Sequence, residues 1–79
     1  MTELARWIKA NKIKAVRLQT DTDDNTFTTR PMSVAVEGAT IFVNGHEWFA
    51  ADSATESITS TGTIFVIETP TSSITIHKA

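Results

Sequence analysis

Two histidines, His46 and His77, are the natural candidates for proton transfer near neutral pH in this sequence, and neither stands in a spacing that known chemistry requires. Hydrolysis or group transfer needs a nucleophile, a base and an oxyanion site within reach of one another. His46-Glu47 opens like a zinc-protease helix, but Ala50 stands where the second His must be and the segment reads as strand. His46 with Asp52 or Glu56 is a conceivable acid-base pair, yet no spacing sets these acids apart from solvated loop acids. We read His46 as the rim of a hairpin and expect no catalytic residues, no enzyme activity and no cofactor.

Asp21, Asp23 and Asn25 match the first three ligand positions of a calcium loop, where oxygen donors suit a hard cation. The match then fails, because Thr26 stands where Gly is needed and Met32 where a bidentate Glu belongs. A turn built from turn-forming residues is the better reading, and no metal site is expected. Glycine occurs only at 38, 45 and 62, with no Gly-Lys-Ser/Thr string, so phosphate and dinucleotide loops are excluded. Phe27, Phe42, Phe49 and Phe65 could stack bases, but a single-stranded nucleic-acid binder needs a basic track beside its rings.

The charges do not supply that track. Residues 1–17 carry Arg6, Lys9, Lys12, Lys14 and Arg17 against Glu3, whereas residues 18–76 carry eight acids against Arg30 alone. A basic amino-terminal element beside an acidic body, at a net charge of −2, argues against nucleic acid as the partner. With 41% hydrophobic and 20% charged residues the chain should fold, but at 79 residues it suffices for one small domain, 1–79. Domains of this size bury only about 60% of their unfolded surface. Without cysteine, neither a disulfide nor a thiolate metal site can compensate. Oligomerisation or partner binding is then the expected support. No apolar run exceeds four residues, so no membrane-spanning or export segment is read, and the expectation is a cytoplasmic chain.

The elements that must position these residues follow from periodicity. Leu4, Trp7 and Ile8 share one face of a helix over about residues 3–12, with Arg6, Lys9 and Lys12 down the other side. Thr2 can cap it and Glu3 suits its positive end. From residue 14 to 78 the body is β-rich. Lys14 to Thr20 alternates as a strand, Asp21 to Asn25 is a turn, and Thr26 to Arg30 is β-prone up to Pro31. Asn44-Gly45 is the preferred two-residue hairpin turn, pairing Val43 with His46, Phe42 with Glu47 and Ile41 with Trp48. A second turn at Glu37-Gly38 would pair Val36 with Ala39 and Val34 with Ile41. Met32, Val34, Val36, Ile41, Val43 and Trp48 then share a core face, leaving Phe42 and Phe49 on the other. Asp52 or Ser53 with Glu56 could cap one helical turn, and Ser57 to Thr61 could equally be an edge strand. Ile64 to Ile67 is apolar on both sides, as a central strand or an interface strand would be, and Ile74 and Ile76 alternate after Pro70. The string Thr-Ile-Phe-Val occurs at 40–43 and at 63–66; duplication is one reading, and chance in a composition with fourteen threonines is the preferred one.

The expected fold is α+β: an amino-terminal amphipathic helix on an antiparallel meander of five or six strands, open to curling into a barrel. The expected function is binding through protein–protein contact, as an inhibitor, adaptor or phage-type accessory protein. The surface candidates are Arg30, Phe42, His46, Glu47, Trp48 and Phe49, with Arg6, Lys9 and Lys12 on the helix. A homodimer or higher oligomer would use Ile64, Phe65, Val66, Ile67, Ile74 and Ile76. An oligomer that sequesters a small molecule or nucleotide near His46, Trp48 and Arg30 is the alternative, and a nucleic-acid module using Arg6, Lys9, Lys12 and Arg17 is a second. Gly45→Val forces a β-branched residue toward positive φ. Amide exchange across residues 40–49 is expected to accelerate; unchanged exchange would refute the turn.

Overall fold

A computed structural model describes residues 2–28, 32–50 and 54–79. One helix, α1 (Thr2–Ala10), precedes eight strands: β1 (Ile13–Thr20), β2 (Asp24–Phe27), β3 (Val34–Glu37), β4 (Thr40–Val43), β5 (His46–Ala50), β6 (Thr55–Ile58), β7 (Ile64–Glu68) and β8 (Ser72–Lys78). They form two antiparallel sheets, one of five strands in the order β2-β1-β8-β7-β6 and one of three in the order β3-β4-β5. The protein is mostly β. The single meander and its closure into a barrel are corrected: the chain leaves the first sheet after β2, builds the second, and returns through β6.

Helix α1 ends two residues earlier than its periodicity suggests, for a local reason. Asn11 Nδ2 donates to the Trp7 carbonyl at 2.9 Å and its main-chain N–H reaches Ile8 O, so its side chain takes up one of the helix's terminal acceptors. Leu4 and Trp7 are buried on the face that the spacing indicates. The Trp7 ring lies 5.5 Å from that of Phe65, tilted by 46°, and its Nε1–H donates to Gly62 O at 3.4 Å. A helix too short to persist alone in water is thus fastened to β7 and to the loop before it.

The core gathers one face of the large sheet, through Val16, Phe65, Ile67, Ile74 and Ile76, with Val34, Ile41, Val43 and Phe49 of the small sheet and Leu4 and Trp7 of the helix. Ile64 and Val66 turn to the opposite, half-buried face, with Thr75 and His77 beside them in register. Phe65, Ile67, Ile74 and Ile76 are therefore core residues of one chain, 0–1% exposed, and cannot supply the expected oligomer interface; only Ile64 and Val66 of that set face outward.

The small sheet corrects two registers. The first turn is Gly38-Ala39, with Gly38 at φ 60°, so Val36 pairs with Ile41 and Val34 with Val43. That shift is by two positions, and a two-residue shift leaves every side chain on its expected face. The second turn is Asn44-Gly45 at φ 50° and 83°, and Val43–His46 and Phe42–Glu47 pair as expected. Beyond them the register shifts by one, so that Ile41 meets Phe49 and Trp48 is the extra residue. A bulge reverses the alternation from there on, and Phe49 enters the core at 6% exposure while Trp48 is only half-buried.

Residues 55–58 resolve as an edge strand, pairing with β7 from Thr55–Glu68 to Ile58–Phe65. Hydroxyls hold the loop that follows: Thr59 Oγ1 accepts from Ile64 N–H at 3.3 Å, and Thr59, Thr61 and Thr63 form a chain of contacts at 3.3 and 2.7 Å. Trp7→Ala should cost about 3–5 kcal/mol, most of what holds so small a domain, and lower the urea midpoint accordingly. Phe65→Glu should abolish the cooperative unfolding transition; a well-folded Phe65→Glu chain would place that ring outside the core.

Candidate functional site

The expected surface around the second hairpin comes apart in three dimensions. His46 and Glu47 are exposed at the start of β5, and Phe42 lies half-buried in register with Glu47 and Ala35. Trp48 is half-buried at the bulge and meets Phe27 of the other sheet edge-on, with ring centroids 5.6 Å apart and planes at 66°. It joins the sheets at their margin. Phe49 is turned into the core, which removes it from any contact surface. Arg30 and Asp52 lie outside the described residues, so the pocket drawn around His46, Trp48 and Arg30 and the pair His46–Asp52 do too.

The basic helix residues Arg6 and Lys9 are exposed, as is Lys12 just beyond the helix. The aromatic platform a nucleic-acid strand would need is not beside them: Phe49 and Phe65 are buried, and Phe27 and Phe42 are half-buried. His46 and His77 sit in different sheets, His77 between Ala15 and Ile64 on the outer face of the large one. Among the described residues, no three His, Asp or Glu side chains gather as a metal-binding group. The acidic turn is a turn in its bonding: Asp23 N–H donates to Thr20 Oγ1 at 3.0 Å, and Thr20 N–H donates to Asp23 O at 2.8 Å. Asp24 turns away to Arg17, whose Nε–H donates to Oδ1 at 2.8 Å while a second guanidinium N–H binds Oδ2.

A different place stands out, at the free edge of the large sheet. On β6 the side chains of Glu56 and Ile58 fall in register with Ile67 and Phe65, so both belong to the core-facing side, two positions apart on one strand. Ile58 is nevertheless 49% exposed, the one large apolar side chain left exposed among the described residues. Glu56 Oε1 is shielded from solvent and accepts no hydrogen bond among the described residues. A polar atom held in that way costs about 1–3 kcal/mol unless a donor reaches it. Among the described residues no strand neighbours the outer side of β6 in the sheet order, so its main-chain groups there are open to a further strand. The sequence carried a trace of this site in the alternation of Ala54, Glu56 and Ile58, but which side of the strand faces the core depends on its pairing with β7.

Hydrogen bonding to Arg17 holds the Asp24 carboxyl below its ordinary value of 3.8, against desolvation and with a lesser contribution from the guanidinium charge, and Arg17 is raised in turn. A carboxyl depressed on folding stabilises above its unfolded value and loses that contribution as pH falls through its folded one. Asp24→Asn should therefore melt slightly below the parent near neutrality, with the gap closing in strong acid; a gap that widens in acid would contradict the pairing. Comparison with protein-family models, curated proteins and solved structures finds no match for this chain.

Proposed function

We propose that this is a non-enzymatic binding protein that acts by protein–protein contact, with the β6 edge as its principal contact. The observation that carries the reading is the pair on that edge: an exposed Ile58 beside a Glu56 whose shielded Oε1 lacks a donor. Strand addition would answer each feature at once. An extended partner segment would take up the open main-chain groups of Thr55–Ile58, lay an apolar side chain over Ile58, and bring a Lys, Arg or amide donor to Glu56. Affinity would come from the main chain and selectivity from the alternate side chains. The inward acid has a second consequence, because an inward-pointing acidic side chain on an edge strand discourages pairing with any segment that offers no donor.

Such a protein fits the role of an inhibitor or adaptor, including the phage-type accessory proteins expected from its size, and its setting is read as cytoplasmic. No helix of the described residues is long and apolar enough to cross a membrane. Affinity purification from the cells of origin, with the parent chain and Ile58→Lys in parallel, tests the reading. A partner should be held by the parent and lost with Ile58→Lys at unchanged stability. Glu56→Val should separate the two roles of that residue, raising the unfolding free energy by about 1 kcal/mol while weakening capture. A partner held equally by Ile58→Lys, or one that binds Glu56→Val more tightly, would overturn it.

A further inference from the structure

A cavity of about 600 Å³ opens between the end of α1, the start of β1 and the lead into β3, away from the β6 edge. Its size falls within the roughly 300–1,000 Å³ of small-molecule sites. Ile8, Ile13, Met32 and Val34 give it an apolar wall, and each of these packs on the core from behind. Lys12 and Lys14 stand at its margin, both exposed; no Asp or Glu is among the lining residues, which also include Ala79, the last residue of the chain. Neither lysine is in an ion pair among the described residues, where Arg17–Asp24 is the one pair formed.

The backbone shows why two cations meet here. Ile13 and Lys14 are consecutive, and consecutive side chains of a regular strand point to opposite faces, yet both line the cavity. The register against β8 shifts between Ile13, opposite Lys78, and Ala15, opposite His77, which makes Lys14 the extra residue of a bulge. A bulge of this kind re-aims a side chain. Here it brings Lys14 to the side that Lys12 already borders, while Ile13 keeps its place on the core. The walls are also fixed in advance. Asn11 closes the helix end on Trp7 O, Ala79 N–H donates to Lys12 O at 2.8 Å, and Ser33 is held by Asn44 through both its N–H and its carbonyl, each at 2.7 Å.

We propose that this cavity binds a small organic anion with an apolar body, of the class of medium-chain carboxylates, its chain against Ile8, Ile13, Met32 and Val34 and its carboxylate between Lys12 and Lys14. The apolar wall recognises the chain, and the paired cations select the charge.

Octanoate, with 1-octanol as its uncharged counterpart, is the probe, followed by amide shifts in the full chain. Octanoate should bind saturably at millimolar concentration or below, with shifts concentrated in residues 8–14 and 32–34. Octanol should bind several-fold more weakly. Lys12→Gln with Lys14→Gln should weaken octanoate by roughly threefold to tenfold, and leave octanol and thermal stability unchanged, as expected for exposed charges. Added salt should weaken octanoate alone. Absence of saturable binding, equal affinity for octanol, shifts centred elsewhere, or a double variant that binds octanoate as the parent does would each overturn the assignment.

Discussion

The pairing of β1 with β8 is the constraint on which the rest of the fold depends. Seven register pairs, from Ile13–Lys78 to Thr20–Ser72, join the two ends of the chain at the centre of the large sheet. Val16 meets Ile76 and Leu18 meets Ile74 there, so core contacts of this sheet span the greatest separation in sequence. Loop-closure entropy opposes such a contact, and its cost is recovered only when everything between folds at once. The stretch between is accordingly well fastened: the small sheet lays Ile41, Val43 and Phe49 on the same core, and Trp7 reaches from the helix to Phe65 and the Gly62 carbonyl.

That arrangement also decides where the molecule can touch anything else. With β1, β8 and β7 in the interior of the large sheet, its free edges fall on β2 and β6. The β2 edge is bordered by Asp24, already paired with Arg17, whereas β6 shows Ile58 and an unsatisfied Glu56. Two bulges then set side chains apart from the regular alternation. The one at Trp48 sends Phe49 inward and leaves the indole against Phe27; the one at Lys14 turns a second cation toward the cavity beside Lys12.

Local features were readable from the residues, and features that depend on pairing were not. The Leu4 and Trp7 face and the Asn44-Gly45 turn each rest on a signal contained in a few residues, whereas the apolar run Ile64 to Ile67 fits a central strand and an interface strand alike. The bulges carry no comparable signal: nothing in His-Glu-Trp-Phe says which residue will be the extra one, and so Trp48 and Phe49 exchange their expected roles. The repeated string shows the limit most plainly. In β4, Thr-Ile-Phe-Val buries Ile41 and Val43, whereas at 63–66 it buries Phe65 and turns Ile64 and Val66 outward. Four identical residues present opposite faces because the partner strands differ. The Glu56 and Ile58 site was hidden for the same reason, since an alternation does not tell which side meets the core.

Native-state hydrogen exchange measured strand by strand tests the account most directly, because it orders the elements by the free energy needed to open them. The hydrogen-bonded amides of β1 and β8, around Val16, Ile74 and Ile76, should exchange slowest and only through global unfolding, while Thr55–Ile58 of β6 should exchange well before them. A β6 edge as protected as β8 in the isolated chain, or β1 and β8 amides that exchange ahead of the β4–β5 hairpin, would contradict it.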